Sequence, residues 1–318
     1  MRIVWLDSAR GIAILTVIIF HAFLANSGII HEINERICSF MIPIFFVISG
    51  YLYREKKLPE FIRLRLKRLI LPYFSAQIIV TILALIFFPG AAERWNDYLL
   101  GIFFADVNLP VKDSLADYPL WFLPCLFLSE VIFLSTQKIF KNRAWLVSIL
   151  LSTFGIFLST KIFLPWGADI ALTAQIFISG GTILRDRFET YSEKISNVQM
   201  ILTALIFLAT TEINSSIDMP YRIFNNPLLF FLDGMLGSIL IFHIARKFSN
   251  KFLIFLGRNT MSILILHVPI FFCVEMIVQQ FGIDYSITAV CWLKIAVMIL
   301  LTYRIDRDFF RLSNFLHR

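Results

Sequence analysis

Ten apolar runs dominate this chain, and they decide what it can fold into. They cover roughly 10–29, 38–53, 69–88, 120–137, 144–163, 169–184, 198–213, 228–245, 260–280 and 287–303. A helix that crosses the hydrocarbon core of a bilayer needs about 20 residues. With loops included, 318 residues leave room for roughly 8–11 crossings. Composition points the same way: 58% of residues are hydrophobic and only 16% are charged. A soluble domain is nearer 45–50% apolar with about 25% charged residues. One soluble core cannot absorb that surface, so a soluble enzyme is excluded. Disordered, collagen-like and disulfide-scaffold chains fall on the same numbers. The expected fold is an all-α polytopic membrane protein of about ten transmembrane helices. It forms a single integral-membrane domain over 1–318, with no separate soluble domain.

The scarce charge is sorted. If the N-terminus is cytoplasmic, the inside stretches hold 23 of the 29 Lys and Arg. The exceptions are Arg36, Arg94, Lys112, Lys161, Arg222 and Lys294. An excess of Lys and Arg on the cytoplasmic side is the ordinary orientation signal. It predicts ten crossings with both termini cytoplasmic. It also accounts for the formal net charge of +7 without nucleic acid as a partner. The opening residues imitate a secretory signal, but Asp7, Arg10 and His21 interrupt the apolar stretch. The reading is a retained transmembrane helix from Arg10 to about Gly28. Two connections stand out: the basic inside loop 54–68, and the outside stretch 89–119. The latter contains a run, Leu99–Phe104, too short to cross and suited to dipping into the interface.

Ionisable groups inside crossings are functional hypotheses by default. Arg10 and His21 are eleven residues apart, about 20° past three full turns, so they share one helix face roughly 16 Å apart along the axis. Asp7 lies on the same side. This stripe reads either as a working constellation, with His21 about mid-membrane, or as a boundary ion pair plus a hydrogen-bonding histidine. Arg65 and Arg68, with Lys67 between them, project from one face of an α-helix at their spacing. They suit either a phosphate or anionic lipid headgroups. Ser49-Gly50 is a point where helices can approach closely. Tyr118 and Trp121 belong to an interfacial aromatic belt or stack on a sugar. Gly257-Arg-Asn259-Thr-Met-Ser262 reads as a turn opening the ninth crossing, with His267 inside it as a core histidine or a working one. Glu130 and Asp233 have no named partner, and Asp169 reads as a helix cap.

Other chemistry is missing. No metal-spaced histidines, GxSxG, phosphate-binding loop or dinucleotide fingerprint is present, so no metal is expected. Cys38, Cys125, Cys273 and Cys291 lack CxxC spacing and read as small buried hydrophobes.

At these residues the chain resembles the membrane-bound acyltransferase-3 family. Asp7-Ser-Ala-Arg10-Gly11 followed by His21 is similar to the family's first-span motif. Phe45-Phe-Val-Ile-Ser-Gly-Tyr51 resembles its second-span motif, and Arg65-Leu-Lys-Arg68 its paired-arginine motif. Trp121-Phe-Leu-Pro124 and Leu256-Gly-Arg-Asn-Thr-Met-Ser262 with His267 look like later signatures. The first of these, with the chain length, resembles the fucose 4-O-acetylase-like branch. The likeness is dense over 7–73 and sparser in 138–250.

The resemblance implies an O-acetyltransferase of the bacterial cytoplasmic (inner) membrane. It would move an acetyl group from cytoplasmic acetyl-CoA to a sugar hydroxyl of a cell-surface polysaccharide or lipid-linked glycan. His21, with Arg10 and Asp7, would be catalytic, and Arg65, Arg68 and Lys67 would hold the CoA phosphates. His21 would be either a general base or the acyl carrier. Trp121, Tyr118, Ser262, Asn259 and His267 are candidates for substrate contact. The partners are acetyl-CoA, the glycan and the lipid bilayer; a homo-oligomer is compatible with this. The competing classes are a secondary transporter and a non-catalytic membrane assembly partner.

Overall fold

The computed structural model describes residues 3–87, 91–106, 119–191 and 197–316. Among these the regular structure is helical, with no strand beyond one bridge between Asp218 and Ile223. Helices satisfy their own backbone, which lipid cannot do for them. Seven stretches are long and apolar enough to cross a membrane, or eight if the bent pair over 165–187 is one crossing. Each of the ten runs overlaps a helix, but they are not ten equal rods. Pro119–Ser159 passes as one 41-residue stretch, although the chain turns within it. The run 198–213 is a helix of 17 residues.

The chain divides into two compact units, Met1–Met41 with Ile241–Arg318, and Ile42–Leu240. The first contains α1 (Val4–Ala22), α2 (Ile29–Met41), the last turns of α12 (Pro227–Lys247), α13 (Lys251–Arg258), α14 (Thr260–Gln280) and α15 (Thr288–Leu316). Two glycines bring α1 and α13 backbone to backbone. A Cβ on Gly11 would collide with the carbonyl of Leu253, and one on Gly257 with the carbonyl of Asp7. Gly257 is thus a contact point inside α13, not the turn residue expected from its polar neighbours. Small residues allow such approach, and packing drives helix association where no hydrophobic force acts between helices. The Oγ atoms of Ser8 and Ser249 lie 2.7 Å apart beside this crossing. Asn250 caps α13, its side chain accepting from Leu253 N at 2.9 Å.

The first helix is displaced from its expected position. It starts at Val4 and ends at Ala22, before the turn at Gly28 (φ +70°). Asp7 and Arg10 are inside the helix rather than at its boundary. His21 is in its last turn rather than its middle. An acid in the first turn suits the positive end of the helix dipole. Of the cysteines, Cys38, Cys125 and Cys291 are buried. Cys273 is instead exposed, on a face of α14 shared with Phe272, Met276 and Ile277. That apolar face is what a membrane-facing helix presents.

The second unit contains α3 (Pro43–Tyr51), α4 (Leu58–Arg65), α5 (Leu71–Phe87), α6 (Trp95–Phe104), α7 (Phe122–Phe140), α8 (Ala144–Ser159), α9 (Ala168–Thr173), α10 (Gln175–Tyr191), α11 (Asn197–Ile213) and most of α12. Helices α7 and α8 pack on each other after a turn at Lys141 (φ 47°). The close approach expected at Ser49-Gly50 is present. A Cβ on Gly50 would meet the carbonyl of Ile178, and one on Gly181 that of Val47, so α3 and α10 cross in contact. The break between α9 and α10 bends the chain by 51°. Side chains bond at the break: Gln175 Nε2 donates to Ala171 O at 2.7 Å and to Ser129 O of α7 at 3.1 Å, and Ile176 N donates to Ser152 Oγ at 2.8 Å. The run Leu99–Phe104 lies in α6, whose 10 residues span about 15 Å. Two hydrogen bonds hold its end, Tyr73 Oη to Ile102 O at 2.6 Å and Trp166 Nε1 to Phe103 O at 2.9 Å.

Asp169 does more than cap a helix. Arg222 donates to Asp169 through Nε at 2.9 Å and Nη2 at 3.1 Å, and to Asp106 through Nη1 at 2.8 Å and through Nη2. Ser159 Oγ adds a bond to Asp169 at 3.0 Å. All three charged side chains are buried. Burial works against the guanidinium's charge, but hydrogen bonds and attraction from Asp169 and Asp106 outweigh it and raise the pKa of Arg222. Removing one partner of such a cluster costs more than the cluster is worth, because the remaining charges stay buried.

Two outcomes follow for the purified protein in detergent. Gly257→Ala is destabilising by about 1–3 kcal/mol, the usual cost of overpacking, and lowers the thermal midpoint. Arg222→Met costs roughly 3–5 kcal/mol, and that loss is reduced when Asp106→Asn is added. Thermal unfolding followed by near-ultraviolet circular dichroism measures both.

Candidate active site

Two histidines face each other in the first unit. The rings of His21 on α1 and His267 on α14 have centroids 4.9 Å apart in an edge-to-face arrangement. Each is held by its own helix. His21 Nδ1 lies 2.8 Å from Val17 O. His267 Nδ1 lies 3.0 Å from both Ile263 O and Leu264 O. A carbonyl only accepts, so in each ring Nδ1 carries the hydrogen and Nε2 carries the lone pair. The ring of His267 is fully buried, and its Nε2 has no hydrogen-bond partner among the described residues. His21 is half-buried. Phe20 and Phe271 wall the pair, with centroids 5.2 Å from His21 and 5.9 Å from His267.

The rest of the expected stripe is present on α1. Arg10 Nη1 lies 3.6 Å from Asp7 Oδ1; Asp7 is buried, while Arg10 keeps about a third of its side chain exposed. Further along the wall, buried Lys294 of α15 lies over the Phe271 ring at 5.6 Å and pairs with Glu275 at 2.8 Å. Helical periodicity does not name that pair. Its signal was present, because Lys294 is one of the few cations outside the cytoplasmic stretches.

Two expected neighbours stay apart from the imidazoles. Ser262 precedes His267 by five residues, about 140° around the helix. Asn259 turns its amide back to Phe255 O at 3.0 Å. Tyr118 lies outside the described residues. Trp121 is 5% exposed and packs edge-on against Phe122, so its ring is not an open stacking face.

The basic motif sits in the second unit, and its geometry differs from expectation. Arg65 and Arg68 do not share a face. Over Leu66–Ile70 the helix widens into a π turn, with Leu71 N bonded to Leu66 O. The cause is Pro72, which has no N–H for the carbonyl of Arg68. The wider turn swings the two arginines apart. Arg65 points inward, its Nε 2.7 Å from Glu130 Oε2 and its guanidinium 5.2 Å from the Phe61 centroid. This contact is Coulombic rather than an aligned hydrogen bond. Ser49 Oγ donates to Glu130 Oε1 at 2.5 Å. Glu130 thus gains two partners that helical periodicity could not name. Lys67 and Arg68 remain exposed. Asp233 is fully buried in α12.

Arg65→Ala leaves the buried Glu130 carboxylate without its cation. The expected loss is roughly 3–5 kcal/mol of stability, whereas Arg68→Ala changes it by less than about 0.5 kcal/mol, as surface substitutions do. Thermal midpoints of the two variants, and recovery of the first by adding Glu130→Gln, provide the check.

A family model described as an acyltransferase domain covers residues 3–303. No curated protein and no solved structure matches.

Proposed function

The chain belongs to the acyltransferase-3 family, and from that premise we propose that it is a multi-pass membrane O-acetyltransferase. The donor is cytoplasmic acetyl-CoA. The acceptor is a sugar hydroxyl of a cell-surface polysaccharide or a lipid-linked glycan, and the home membrane is the bacterial inner membrane. We treat 1–318 as one acyltransferase domain, since the family match runs across both compact units. Ten crossings with both termini cytoplasmic remain the preferred topology, on the sorting of 23 of 29 cations.

One observation carries the reading: a half-buried imidazole in the last turn of α1 whose Nδ1 is tied to Val17 O, leaving Nε2 as a base or nucleophile. In the preferred topology that end of α1 faces away from the cytoplasm, where a surface glycan arrives. Arg10, paired to Asp7, orients the acyl donor. The phosphates of CoA go to exposed Lys67 and Arg68, which offer point charge and a planar fork. Arg65 supports that loop through Glu130.

Among the described residues, the bent α9–α10 segment favours a secondary transporter, since transporters use broken helices. They use them in symmetric pairs, and the sequence shows no detectable internal repeat. Acetyl-CoA consumption against solute flux in proteoliposomes separates the two readings.

His21→Ala is expected to lower acetyl transfer by about 10²–10⁴-fold, the usual contribution of a positioned acid–base group, with the protein still in the membrane. Arg68→Ala raises the KM for acetyl-CoA. Mass spectrometry of surface glycans from strains carrying each variant reads the acetyl increment. Full acetylation by His21→Ala sinks the proposal.

A further inference from the structure

The rings of His21 and His267 form a pair, and one imidazole cannot do two jobs at once. If His21 Nε2 takes the acyl group, it has no lone pair left, and its Nδ1 hydrogen is bonded to Val17 O. A second base is then needed for the acceptor hydroxyl. His267 offers one. Its ring is fixed by two backbone carbonyls, and its Nε2 is buried and has no hydrogen-bond partner among the described residues. A buried polar atom without a partner is costly in a native interior and calls for a reason. At a centroid separation of 4.9 Å, one oxygen at hydrogen-bond distance from one ring comes within reach of the other.

We propose that His21 carries the acyl group and that His267 is the base that deprotonates the acceptor. This rests on the reading of His21 as the reacting residue. In the first step His21 Nε2 attacks the thioester carbonyl. An N–C bond forms, the C–S bond breaks, and CoA leaves as a thiolate that takes a proton from water. The acyl-imidazolium keeps its Nδ1 hydrogen on Val17 O. In the second step the sugar oxygen attacks the acyl carbon. An O–C bond forms, the N–C bond breaks, and its electron pair returns to His21 Nε2. The hydroxyl proton passes to His267 Nε2 and then to water. Thioester and alcohol are consumed, ester and thiol are released, and no other reagent is needed.

The two steps can be measured separately, and the first needs no known acceptor. The full chain, purified in detergent, is given acetyl-CoA and isotopically labelled free CoA, and label entering acetyl-CoA is followed. His267→Asn retains an amide that can donate to Ile263 O but removes the base. If it does not fold, His267→Gln is measured the same way. The wild type is expected to exchange label and His21→Asn to exchange none. His267→Asn should exchange within about twofold of wild type, while surface-glycan acetylation in cells falls about a hundredfold or more. A purely structural role for His267 would lower both together, and that result overturns the proposal. So does wild-type acetylation by His267→Asn. A wild type without exchange, in cells where acetylation still requires His21, overturns the two-step scheme and leaves the enzyme reading standing. Acetylation that survives His21→Asn removes the enzyme reading itself.

Discussion

The backbone contact between α1 and α13 is the constraint on which the first unit depends. Gly11 against Leu253 and Gly257 against Asp7 fix both the spacing and the register of the two helices. Any side chain at either glycine forces them apart. Helix α13 leads into α14 through Asn259 alone, so setting the position of α13 also constrains the start of α14. The edge-to-face meeting of His21 and His267 therefore lies about ten residues along the chain from the crossing on both sides, within α1 and from α13 into α14. The glycines and histidines of two distant motifs serve one piece of geometry: the glycines let the backbones touch, and the touch aims the rings.

What the sequence could reveal here followed from periodicity and from the shortage of polar residues. The apolar runs located the helices, and Ser49-Gly50 located a close approach. The shared face of Arg10 and His21 needed only the helical repeat. Boundaries and partners were harder. Asp7 and Arg10 look like an interfacial flank on a hydropathy scale, so hydropathy starts the first helix some six residues too late and gives His21 a central position it does not have. Inside a folded bundle, an acid in the first turn finds packing and a cation. Hydropathy does not register either.

The arginine pair is the instructive case. Three-residue spacing puts two side chains on one face only if the helix stays an α-helix. Pro72 removes one hydrogen-bond donor, the ladder slips by one residue over Leu66–Ile70, and the side chains part. The proline was visible in the sequence; its effect on neighbours upstream is a matter of hydrogen-bond accounting. The exceptions to charge sorting were informative in a similar way. Arg222 and Lys294 counted against the topology signal, and each is a buried cation with carboxylate company. A cation on the wrong side for orientation is more readily kept when it is structural.

The cluster around Arg222 also has an order in time. Asp106 and Asp169 are synthesised well before the arginine that holds them. A nascent chain released at residue 200 would contain both carboxylates and no matching guanidinium. Until the segment containing Arg222 emerges, those acids lack the cation that offsets their burial, so drying them earlier costs more than drying them later. The cluster is therefore complete only once the chain has reached Arg222, when the second unit, which ends at Leu240, is nearly made.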